Sequence, residues 1–114
     1  MVGWLIMTSI NMGKLDIEPS ELRQMLASQT QPVLIDVREP DEYAAGTIPG
    51  AILIPLGQLE DSNQLDQIDY HSSIVVICRS GARSAHAQQR LFGMGYKKVY
   101  NLKGGILAWD GPIE

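Results

Sequence analysis

Ile74-Val75-Val76-Ile77 runs without a break into Cys78, the only cysteine of the chain, and on into Arg79-Ser80-Gly81-Ala82-Arg83-Ser84. No other stretch limits the fold so tightly. Four consecutive apolar, mostly β-branched residues read as a strand buried on both faces, as in a parallel sheet covered by helices. The segment that follows the loop, Ser84 to Leu91, is made largely of helix formers. The order is strand, tight loop, helix. It places Cys78 at the carboxyl end of the strand, where open α/β sheets bind their ligands.

That position has chemical consequences. The first amides of a helix have no intrahelical partner, and the helix dipole puts partial positive charge there. A loop feeding such a terminus suits an anion. The same field favours thiolate over thiol, and Arg79 and Arg83 are expected to add to it. A free cysteine titrates near about 8.5, and helix termini with nearby cations bring it to roughly 3.5–7.5. Cys78 therefore reads as a reactive nucleophile beside an anion-binding loop. The alternative is an inert core thiol at the end of an apolar strand. Two cations within five residues and the switch to helix favour the reactive reading.

Charge is segregated along the chain. Six basic residues and no acid lie between Cys78 and Lys103, while 11 of the 13 acids fall in residues 1–70. A one-sign segment around the cysteine steers anions toward it. A single cysteine allows no intramolecular disulfide and supplies no resolving thiol. With only His71 and His86 beside it, a metal site is not expected, and no cofactor is implied. His86 follows Arg83 by about one helical turn and reads as a surface residue. His71 reads as loop. Activation of Cys78 then falls to backbone dipoles and arginines.

The remaining chain supplies one α/β layer fold. At 114 residues, 45% hydrophobic and 19% charged, it has the size and balance of one domain. Residues 1–12 are uncharged, too short to span a bilayer, and read as a loosely ordered extension before a domain over 13–114. Lys14 to Ile17 reads as an edge strand, and Glu18-Pro19-Ser20-Glu21 as a helix start with Leu22, Met25 and Leu26 on one face. Val33 to Val37 reads as a central strand and Arg38 to Gly46 as a short helix closed by glycine. Ile48 to Ala51 is a turn, Ala51 to Ile54 a third strand, and Leu56 to Leu65 a short helix and loop. After the Cys78 helix, with its stripe Ala87, Leu91 and Met94, come a strand over Lys98 to Leu102 and a final turn or two from Gly104 to Trp109. Alternating strands and helices indicate a mostly parallel sheet. Asp36 and Arg38 then share a sheet edge with Cys78. They are candidates to support the catalytic loop; a plain Asp36–Arg38 pairing is the alternative.

Four patches, in order, resemble the rhodanese-like domain family. They are Leu34-Ile35-Asp36-Val37-Arg38-Glu39-Pro40, Glu42 to Ala51, the Cys78–Ser84 loop, and Leu102-Lys103-Gly104-Gly105-Ile106-Leu107-Ala108-Trp109. Thr47 departs from the pattern, which commonly has histidine there. The loop also lacks the lysine of dedicated thiosulfate enzymes. The resemblance implies a three-layer α/β domain with a central five-stranded parallel sheet flanked by helices. It implies that Cys78 takes sulfane sulfur from a donor such as thiosulfate, holds it as a persulfide, and yields it to cyanide or a cellular thiol. The backbone of Arg79, Ser80, Gly81, Ala82, Arg83 and Ser84 would cradle that sulfur.

Three readings follow from these residues: a sulfurtransferase, a sulfur carrier with little turnover, and a cysteine phosphatase. The last is disfavoured by spacing. Cysteine phosphatases carry Cys-x5-Arg, whereas Arg83 is the fifth residue after Cys78. The expected partners are a small anionic sulfur donor and a thiol or protein acceptor, with neither nucleic acid nor membrane among them. The expected location is cytoplasmic.

Overall fold

In the computed structural model, which describes residues 15–114, the run before Cys78 is the central strand of a five-stranded sheet. In chain order the strands are β1 (Asp16–Ile17), β2 (Val33–Asp36), β3 (Ile52–Leu53), β4 (Ser73–Ile77) and β5 (Lys98–Leu102). They lie side by side as β1-β5-β4-β2-β3, every neighbouring pair parallel. The helices are α1 (Pro19–Ala27), α2 (Pro40–Ala45), α3 (Ala82–Gly93) and α4 (Gly105–Ala108), and two 3-10 segments, Leu56–Asp61 and Leu65–Gln67, connect β3 to β4. This is the α/β sheet that the sequence and the resemblance imply. The proposed extension over residues 1–12 lies outside the described residues.

Parallel strands buried on both faces explain the unbroken apolar run. Ile74 and Val76 pack with Ile35, Leu59, Leu65, Ala87, Leu91 and Val99. Val75 and Ile77 point the other way, into a cluster with Ile17, Leu22, Leu34, Leu102 and Trp109. Helix α3 and the 3-10 segments cover the first face, and α1 covers the second. Alternate side chains of one strand thus serve two cores. Two helices start alike. Pro19 and Pro40 each open the first turn, and Glu21 and Glu42 reach back to accept the amides of Glu18 and Glu39 at 3.0 and 3.1 Å. Among the described residues, no helix is long and apolar enough to cross a membrane.

The register sets the site. Asp36 pairs with Ile77, and Val76 pairs with Asn101, so β2, β4 and β5 all end at one sheet edge. Whatever follows these three strands meets there.

Candidate active site

Cys78 is the first residue past β4 and continues its alternation, so its side chain joins Ile74 and Val76 on the face beneath α3. It is 1% exposed. The chain then turns through Gly81, which holds a left-handed φ of 109° immediately before α3. Glycine takes that conformation without the penalty a Cβ brings. The first helical bond, Ala85 N–H to Gly81 O, closes at 3.1 Å. Amides before Ala85 have no helical acceptor and remain available to the enclosed sulfur. Gly81 donates its N–H to Cys78 Sγ at 3.0 Å, and the Ser84 hydroxyl lies 3.3 Å from the same atom.

These contacts decide the state of the thiol. Burial pushes its pKa up. The Ser84 hydroxyl and the amides of Ser84, Gly81 and Ser80 oppose burial, and the balance lies below the ordinary value. The stabilisation comes mainly from dipoles. Arg79 has an exposed side chain. Arg83 feels the Cys78 charge, but its guanidinium forms a fork with Glu42 of α2, at 2.7 and 2.9 Å. That pair holds the Glu42 carboxyl down to about 2. Of the two arginines expected to add to the field, Arg83 does so while shared with a carboxylate, and Arg79 faces solvent. His86 is exposed, as is His71.

Asp36 and Arg38 have a different task from the loop support considered above. The fully buried Asp36 carboxylate accepts the Arg38 amide at 3.0 Å, its Nε at 3.0 Å and its Nη2 at 2.8 Å. It also accepts the Thr47 hydroxyl at 2.9 Å, while Arg38 Nη2 donates to Gly46 O at 2.6 Å. The plain pairing is the one formed. It ties the end of β2 to the segment after α2 rather than to the Cys78 loop. A carboxylate buried without these donors would be costly, and Thr47 supplies one of them from the position where the resembled pattern has histidine.

Three residues that sequence reasoning did not single out complete the site. Helix α4 donates the Ile106 amide to Cys78 O at 2.9 Å and the Leu107 amide to Arg79 O at 3.1 Å. Gly105, at φ 61°, lets that contact close, because a Cβ there would fall on the carbonyls of Cys78 and Arg79. The Gly104-Gly105 pair was a visible signal of close backbone approach. Asn101, on β5, donates Nδ2 to Gly81 O at 3.2 Å and faces Ser84 Oγ with Oδ1 at 2.5 Å. Glu42 restrains Arg83. Neither of these two had a local signal, since each acts on a partner far away in sequence.

Chemically, the arrangement is a thiol biased toward its anion, enclosed by amides, at the mouth of a parallel sheet. Known proteins resemble the chain in sequence and in fold. The sequence profile of the rhodanese-like domain matches residues 18–111. A sulfurtransferase of Allochromatium vinosum is 39% identical over 94 residues, which cover 82% of this chain and 86% of that protein. The structure of the human single-domain sulfurtransferase TSTD1 superposes with a TM-score of 0.76 at 33% identity, covering 83% of this chain and 94% of that one. A rhodanese-like domain protein from Staphylococcus aureus superposes at 0.78 with 32% identity, covering 87% and 95%.

Proposed function

The chain belongs to the rhodanese-like domain family, and from that membership we propose that it transfers sulfane sulfur through a persulfide on Cys78. The observation that carries the reading is the Gly81 amide aimed at Sγ from 3.0 Å inside a loop of further amides. The Cys78 thiolate attacks the outer sulfur of thiosulfate. The S–S bond of the donor breaks, sulfite leaves with the bonding pair, and Cys78 carries one extra sulfur as a persulfide anion. Cyanide or a thiolate then attacks that terminal sulfur, the new S–S bond breaks, and the Cys78 thiolate returns. The amides of Arg79 to Ser84 offset the charge that moves between the two sulfurs. Arg79, exposed at the rim, meets the anionic donor. A lone thiol suits a reducing compartment, so we place the protein in the cytoplasm.

Transfer of phosphate fits this loop poorly. Arg83 follows Cys78 by five residues and its guanidinium is engaged by Glu42, so its fork is not turned to phosphoryl oxygens. Mass spectrometry tests the reading. Thiosulfate should add the mass of one sulfur atom, and cyanide should remove it with release of thiocyanate. Cys78→Ser should show neither. Comparable thiosulfate turnover by the serine variant would overturn the persulfide route. Many turnovers per site mark an enzyme, whereas one stable loading with negligible steady-state rate marks a carrier.

A further inference from the structure

Ser84 has one hydroxyl proton and three neighbours able to accept it. Its Oγ stands 2.5 Å from Asn101 Oδ1, 3.2 Å from Gly81 O and 3.3 Å from Cys78 Sγ. The surroundings fix which atom of the Asn101 amide is which. Gly81 O only accepts, so the amide atom 3.2 Å from it is the nitrogen. The amide oxygen then faces Ser84, and an amide oxygen also only accepts. The shortest of the three contacts therefore draws the proton away from the sulfur. Asn101 is 6% exposed and in register with Val76, one alternation step before Cys78 on the same face.

We propose that Asn101 is a positioning residue for the nucleophile, holding the Ser84 proton that the Cys78 sulfur would otherwise take. This rests on Cys78 being the nucleophile, and not on which donor loads it. No proton changes owner. When the sulfur is a neutral thiol, its S–H donates to the Ser84 oxygen while the hydroxyl donates to Asn101. When the sulfur is a thiolate, the hydroxyl must turn about its Cβ–Oγ bond, and the buried Asn101 oxygen loses its donor. Asn101 thus opposes the loop amides and restrains formation of the anion. The restraint has a use, because a thiolate whose pKa falls far below ambient pH is an intrinsically weaker nucleophile.

The charged groups around this sulfur are Arg79 and Arg83, with Glu42 of α2 paired to Arg83. From the end of β5 comes Lys103, exposed and 3.8 Å from Glu18. None of these changes in the test. The Cys78 midpoint is read from thiolate ultraviolet absorbance against pH, without substrate. Asn101→Leu removes the competing oxygen, while Gly81 O keeps the Ala85 amide. It should lower the midpoint by about one unit, the effect of one freed hydrogen bond to a charge. Asn101→Asp grips the proton with a full charge and should raise it. In a Ser84→Ala background, Asn101→Leu should have no effect. A merely structural role would move the leucine and aspartate variants in the same direction. If the leucine variant does not fold, Asn101→Val takes its place on the strand. A midpoint unmoved or raised by the apolar substitution, or lowered equally without Ser84, overturns the proposal. If the midpoints behave as expected while thiosulfate fails to load the protein, the donor assignment alone is wrong.

Discussion

The Cys78 sulfur has no histidine base beside it, and amide dipoles take that part. Since the thiolate is the reacting form, its fraction should control the rate. The amides and Ser84 hold the pKa below its ordinary value despite burial. Alkylation by iodoacetamide should therefore rise with pH and level off at a midpoint under about 8.5. A midpoint at or above that value would return Cys78 to the class of inert core thiols. Gly105 makes the second prediction at this scale. Gly105→Ala meets both a left-handed φ and the carbonyls of Cys78 and Arg79. It should lower unfolding free energy in urea by about 1–3 kcal/mol. Gly57→Ala, with open space around it, should stay within about 0.5 kcal/mol of the parent. Cys78 was legible in the sequence because strand, cysteine, glycine and helix are contiguous. Asn101 was not, because an asparagine in a strand carries no mark of the hydroxyl it will meet.

Helices α2 and α3 are joined across the sheet edge by Glu42 and Arg83. The pair is about one third exposed on each side, so its contribution should be that of a surface pair, about 0.2–1 kcal/mol. Glu42→Gln preserves an acceptor for the Glu39 amide and removes the charge. At neutral pH it should lose about that amount. The sign with pH follows from the lowered carboxyl, about 2 in the fold against an ordinary 4.5. The parent's advantage over the glutamine variant should be complete above about 4.5 and disappear as pH falls toward 2. Urea unfolding of both proteins across that range checks it; an advantage that persists at the acid end would mean the pairing is not ionic. Elements themselves were largely readable. Apolar runs gave the strands, Glu18-Pro19-Ser20-Glu21 gave the start of α1, and Gly46 gave the end of α2. Partners across 41 residues were not, because they depend on which strand lies beside which.

For the molecule as a whole, one sheet with two cores predicts one cooperative unfolding. Ile35 is fully buried and paired with both Ile52 and Val76. Ile35→Ala should cost about 2–5 kcal/mol, a large part of the about 5–15 kcal/mol a domain has. Leu107→Ala, on a side chain 64% exposed, should change little. Two separate urea transitions in the isoleucine variant would show that the two faces fold independently. Alternation of strand and helix made the parallel sheet legible, but its order β1-β5-β4-β2-β3 was not, because pairing between strands far apart in sequence leaves no local mark. That order has a last consequence. Cys78, at the carboxyl edge of the central strand, is 1% exposed. A slender donor ending in a bare sulfur should reach such a thiol more readily than a disulfide shouldered by carbon on both sides. The chain has no second cysteine to free it from a mixed disulfide, and burial protects it from that dead end.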